Sequence, residues 1–103
     1  ICAIMNNLYH VDSNRESGHG RYDIQLRPYD KKMPGIIIEL KVLKDGVAEA
    51  RIDSELESSA KEALAQIEQQ RYVIAMKQQG ITHFFKVGVS FYKKHVKLMS
   101  ETE

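Results

Sequence analysis

An acid and a lysine two residues apart interrupt an apolar run, Ile36-Ile37-Ile38-Glu39-Leu40-Lys41-Val42. Residues two apart in a strand share a face, so Glu39 and Lys41 point the same way. Charge withdrawn from water is costly unless it is paired, hydrogen-bonded or bound to metal. A charged pair inside a core strand therefore needs a reason. A second carboxylate, Asp23, lies in Arg21-Tyr22-Asp23-Ile24-Gln25-Leu26, a neighbouring candidate strand with similar alternation. Two carboxylates and a lysine converging on one sheet face can hold a divalent ion and stabilise a phosphorane-like transition state. The plainer alternative is a Glu39–Lys41 or Asp23–Lys41 salt bridge on a solvated sheet face.

The elements that must position these groups follow from periodicity and turn chemistry. Ile1, Ile4, Met5 and Leu8 stand at helical spacing, so residues 1–7 read as helix. Residues 9–13 form a first strand. Residues 14–20 form a turn or loop, with Gly18 and Gly20 as its permissive positions. In the strand 21–27, Tyr22, Ile24 and Leu26 face one way, and Asp23 and Gln25 the other. Two prolines make 28–35 a loop. The strand 36–43 is apolar on both faces apart from Glu39 and Lys41, which predicts a central position. A flexible connection, 44–53, leads to a single helix with Asp53 or Ser54 as N-cap. That helix runs to about Gln79 and stops at Gly80. Its apolar stripe is Ala60, Ala63, Leu64, Ile67 and Ile74. A strand over 82–92, a tight turn at Lys93-Lys94 and a return strand over 95–99 complete the chain. The order is α-β-β-β-α-β-β, an α/β sheet with helices packed on it.

The pattern D-x15-E-x-K, with an apolar run before the second acid, resembles the PD-(D/E)XK nuclease superfamily. E-x-K alone is weak, because any exposed strand can produce it. The ordered set is more specific: Glu16-Ser17-Gly18-His19-Gly20-Arg21-Tyr22-Asp23-Ile24, then Ile37-Ile38-Glu39-Leu40-Lys41-Val42, then Ala63-Leu64-Ala65-Gln66-Ile67 with Tyr72. It looks like a bacterial branch in which a nuclease-like domain follows an AAA-ATPase-like N-terminal domain. The likeness covers roughly residues 8 to 98, nearly the whole chain.

The resemblance implies a restriction-endonuclease-like core, with a central mixed sheet flanked by helices. It implies Mg²⁺ (or Mn²⁺) held by Asp23, Glu39 and the main-chain carbonyl of Leu40. Lys41 would position or help deprotonate the attacking water, or stabilise charge on the phosphate. Gln66 lies on the border of the helix stripe, roughly 100° from its centre, and the family uses this glutamine near the metal and phosphate. A surface glutamine in a Gln-rich helix is its plainer reading. Many superfamily members bring an extra acid from the first helix, and that helix offers none here. Glu16, in the loop before the Asp23 strand, stands either as an accessory metal ligand or as a loop acid paired with Arg21. Tyr22 replaces the proline of the family motif. The implied activity is Mg²⁺-dependent hydrolysis of DNA phosphodiester bonds. The alternative is a catalytically weak or inactive module of the same fold, binding nucleic acid or protein beside an ATPase domain.

Composition sets the remaining bounds. The 103 residues make one domain, 1–103, with 43% hydrophobic and 28% charged residues, ordinary values for a globular chain. The net charge of +1 does not announce a nucleic-acid binder. A local basic cluster, Lys86, Lys93, Lys94, His95 and Lys97, either engages phosphates or is a solvated hairpin tip that blunts a sheet edge. No apolar stretch approaches the ~20 residues of a membrane span. Cys2 cannot form an internal disulfide, which fits a cytoplasmic location. His10, His19, His83 and His95 lack the spacing of a zinc site. No phosphate-binding P-loop is present. The chain starts at Ile1 without an initiator methionine, as expected of a piece of a longer protein.

Overall fold

The computed structural model describes residues 7–16, 21–69 and 71–102, with the side chains of 14–16, 21, 68, 69, 71 and 72 outside that description. Five strands build one mixed sheet: β1 (Tyr9–Glu16), β2 (Arg21–Pro28), β3 (Gly35–Val42), β4 (Phe84–Tyr92) and β5 (His95–Thr102). Their spatial order follows the chain, β1-β2-β3-β4-β5. β1, β2 and β3 form an antiparallel meander, β4 joins β3 in parallel, and β5 returns antiparallel to β4. The apolar strand β3 is central, as its composition requires.

β1 and β5 each run three residues past the ends expected from alternation, to Glu16 and Thr102. The pairings Glu16↔Arg21 and Phe85↔Thr102 show why. A strand extends as far as its neighbour offers backbone groups to bond, whatever its own pattern. At the β4–β5 turn Lys93 adopts φ 53°, a left-handed conformation uncommon outside glycine.

A parallel β3–β4 pair needs a crossover. It consists of a 3-10 turn (Glu49–Arg51), helix α1 (Ile52–Gln69) and helix α2 (Arg71–Gln78). α1 continues directly from the 3-10 turn. Neither Asp53 nor Ser54 is therefore an N-cap: both lie inside the helix, and Ser54 Oγ donates to the Arg51 carbonyl at 3.1 Å. Asp53 and Glu55 still sit in the first turn, at the positive end of the helix dipole.

Of the helix expected over 54–79, the structure describes Ile52–Gln69 and Arg71–Gln78. The buried stripe changes phase between the two stretches. Ala60, Ala63 and Ile67 are fully buried, as expected, but Ile74 is 57% exposed, and Val73 and Met76 face inward instead. Ile37, Ile67, Val73, Met76, Ile81 and Phe84 make the core cluster, with Leu64 against it. α2 ends as its glycine predicts. Gly80 has φ 96°, its N–H donates to the Lys77 carbonyl at 3.0 Å, and the Ile81 N–H donates to the Met76 carbonyl at 3.1 Å. That is the Schellman pattern, closed by apolar contact between residues such as Ile81 and Met76.

α1 packs on β4, and also meets β3 and β5. Gly88 and Ser90 create its seat. A Cβ on Gly88 would lie 2.7 Å from Leu64 N and press on the Ala60 carbonyl oxygen. Ser90 Oγ donates to the Leu56 carbonyl at 2.6 Å in a buried bond. On the opposite sheet face Ile24, Ile36, Ile38, Leu40 and Val87 are half-buried, while Val42, Phe85, Val96 and Leu98 are exposed. The helix-covered face is thus the one that bears the charges.

Candidate active site

Strand register assembles the site. Asp23 of β2 is directly opposite Glu39 of β3, and Glu39 is opposite Gly88 of β4. Opposed side chains on neighbouring strands point to one side, with Cβ atoms about 5 Å apart. Both acids are out of solvent, Asp23 at 1% and Glu39 at 0% exposure. Lys41 follows on the same face, opposite Arg21 on one side and Ser90 on the other. On the other flank lie Gln25, Ile37 and Lys86, also in one row. The solvated salt-bridge face is therefore not what forms: the carboxylates lie beneath the helical layer.

The ion pair of Lys41 comes from a residue that sequence reasoning did not single out. Lys41 Nζ donates to Glu62 Oε2 of α1 at 3.1 Å, with Lys41 13% and Glu62 67% exposed. Glu62 sits on a helical face whose target only the packing reveals. The same packing places Gln66. α1 runs antiparallel to β4, since Leu56 meets Ser90 whereas Ala60 and Leu64 meet Gly88. One helical turn from Glu62 to Gln66 advances about 6 Å, close to the roughly 6.6 Å from Lys41 back to Glu39 along the strand. Gln66 is thus brought to the level of Glu39. It is half-buried and, like Asp23 and Glu39, engages a neighbouring group.

Leu40 lies in the ladder between the acid and the lysine, paired with Tyr22 and Val89. Glu16 is the last residue of β1, opposite Arg21, rather than part of a loop. Its side chain, like that of Tyr72, is outside the described residues, and so is His19 altogether. The basic cluster loses a member. Lys86 is 1% exposed and belongs to the carboxylate face. Lys93, Lys94 and His95 remain exposed at the hairpin. Lys93 lies over the Tyr92 ring at 5.3 Å, and Lys97 is 3.7 Å from Asp53. Tyr92, Lys93, Lys94 and His95, with Glu49 and Ile52, line a cavity of about 380 Å³ that neither Asp23 nor Glu39 reaches.

Lys86 was legible in part. Phe84, Lys86, Gly88, Ser90 and Tyr92 alternate with Phe85, Val87, Val89 and Phe91. The second set is the more apolar and looks like the core, yet the first is buried. Small residues at Gly88 and Ser90 were the signal that a helix lies close over that face.

Among the described residues no group of three or more His, Cys, Asp or Glu side chains forms a metal site. Asp23 and Glu39 set two hard carboxylates side by side, a pairing whose chemistry would suit an ion that keeps several waters, as Mg²⁺ does. A model of the PD-(D/E)XK nuclease superfamily matches residues 1–101. The chain belongs to that superfamily. No curated protein and no solved structure matches it.

The five-stranded mixed sheet with its helices is consistent with the restriction-endonuclease-like fold of PD-(D/E)XK proteins. Asp23 and the Glu39-Leu40-Lys41 run lie within the matched residues. PD-(D/E)XK nucleases generally use divalent metals. No described helix is long and apolar enough to cross a membrane.

Proposed function

We propose that this domain hydrolyses DNA phosphodiester bonds with Mg²⁺ or Mn²⁺ as cofactor, in a protein that also carries an AAA-ATPase-like domain. The reading is carried by one observation. Two buried carboxylates oppose each other on adjacent strands, with a lysine next on the same face, in a member of a nuclease superfamily. Asp23, Glu39 and the Leu40 carbonyl would hold the ion, with Glu16 as an accessory ligand. When bound, the ion activates water and offsets charge on the scissile phosphate.

The chain's own groups do the rest. Asp23 and Glu39 are held in register by the ladder, so little reorganisation is needed to present them together. Lys41 stabilises charge on the phosphate in the transition state. Its contact with Glu62 is to a largely exposed acid, and such pairs are weak, so an entering phosphate can displace Glu62. Gln66 orients the phosphate from α1.

The test is cleavage of plasmid DNA with Mg²⁺ or Mn²⁺, by this chain and by any longer chain that contains it. Lys41→Ala should lower the rate far more than DNA binding, because the lysine acts mainly on the transition state. Undiminished cleavage by Lys41→Ala rejects the role given to Lys41. The burial of both acids favours a second reading, a binding module with a residual site. DNA binding without cleavage, in wild type and variant alike, supports that reading.

A further inference from the structure

Lys86 is fully buried with the acids, and the roles proposed above do not use it. Its neighbour on β3 is Ile37, and Gly88, two residues along β4, is the neighbour of Glu39. Lys86 is therefore diagonal to Glu39 on one face, within the span of two long side chains. Gly88 carries no side chain in the Glu39 row, and the backbone of α1 at Ala60 and Leu64 closes over it. Asp23 continues that row on β2, and Gln25 continues the row of Lys86. On the β5 side, Lys86 pairs in register with Glu101, which is exposed. An ammonium at 1% exposure is deep on the side of the buried carboxylates. Lys86, Asp23, Glu39 and Gln66 each engage a neighbouring group. Two buried carboxylates side by side repel, and a buried cation within reach relieves the strain on both.

We propose that Lys86 is the built-in counter-charge of the Asp23–Glu39 pair: it holds the two carboxylates together in the metal-free protein and competes electrostatically with an entering divalent ion. The second half rests on the metal-ligand reading of Asp23 and Glu39. Lys86 is thus a positioning residue. Its flexible four-carbon stem lets the ammonium shift when a divalent ion takes over the negative charge.

The test combines thermal melts in EDTA with calorimetric titration of Mn²⁺ alone, on the whole chain. In EDTA, Lys86→Met should lower the melting temperature of wild type by at least about 5 °C. In the Asp23→Asn, Glu39→Gln background the same change should raise it, since a buried lysine without acids is itself the liability. Lys86→Met should bind Mn²⁺ about tenfold more tightly than wild type, and Lys86→Arg should stay near wild type in both measurements. A lysine that only fills space would cost the same in both backgrounds and leave Mn²⁺ affinity unchanged or weaker. Either result overturns the proposal. If Lys86→Met alone does not fold, the triple variant with neutral residues at all three positions should fold, and its failure also overturns the proposal. Absence of Mn²⁺ binding by wild type would reject the metal-ligand reading, and the melts in EDTA would then decide the counter-charge by themselves.

Discussion

Gly88→Ala tests the placement of α1, on which the positions of Glu62 and Gln66 depend. The strand backbone at Gly88 is compatible with alanine, so the cost is steric. The new Cβ would lie 2.7 Å from Leu64 N and 3.2 Å from Leu64 Cα, and would press on the Ala60 carbonyl oxygen. All three are helix backbone atoms, with no rotamer to change, so α1 must move away from the sheet. Overpacking of this kind costs about 1–3 kcal/mol, and a rigid backbone obstacle places it at the upper end. Retreat of α1 also stretches the buried 2.6 Å bond from Ser90 Oγ to the Leu56 carbonyl, worth about 1 kcal/mol. The sum, about 4 kcal/mol, is a large share of the ~5–15 kcal/mol by which domains are stable. It corresponds to a fall in melting temperature of roughly 16 °C or more. Urea unfolding and thermal melts would measure it. Gly46→Ala is the control: Gly46 has φ 96° and open space around it, so only the conformational cost of roughly 1–2 kcal/mol applies. Gly35→Ala should fall between them, because its nearest obstacle at 2.8 Å is the Sδ of a flexible methionine, Met76. A Gly88→Ala variant within about 3 °C of wild type would show that α1 is not seated on β4 as described.

Asp23→Asn should abolish the stabilisation by Mn²⁺ that mass action predicts for wild type. Equal responses of wild type and variant to a Mn²⁺ series would remove Asp23 from the ligand set. The change of buried phase between α1 and α2 predicts that Val73→Ala costs about 2 kcal/mol, whereas Ile74→Ser, at an exposed position, stays within about 0.5 kcal/mol. The reverse order in urea unfolding would refute that change of phase. Ser90→Ala should cost about 1 kcal/mol through its bond to Leu56, and an unchanged urea midpoint would argue against that bond.

Strand alternation depends only on residues two apart, so the sequence alone sufficed to put Glu39 and Lys41 on one face and Asp23 with Gln25. Composition made β3 central, and Gly80 marked the end of α2, because a left-handed residue there needs no Cβ. The sequence of β4 also held the hint of small residues at Gly88 and Ser90. Alternation cannot say which of two faces is covered. On β4 the more apolar set, Phe85, Val87, Val89 and Phe91, is not the face that α1 covers. That depends on where a helix some thirty residues away in the chain can approach most closely, and Gly88 and Ser90 decide it. The same approach puts Glu62 against Lys41 and brings Gln66 to the level of Glu39. It also encloses Lys86 with the two acids. The phase change between α1 and α2 was equally out of reach, since Ile74 and Val73 are both apolar and only the core they meet chooses between them. Local periodicity determined which residues travel together, and contacts between distant parts of the chain decided which of them meet.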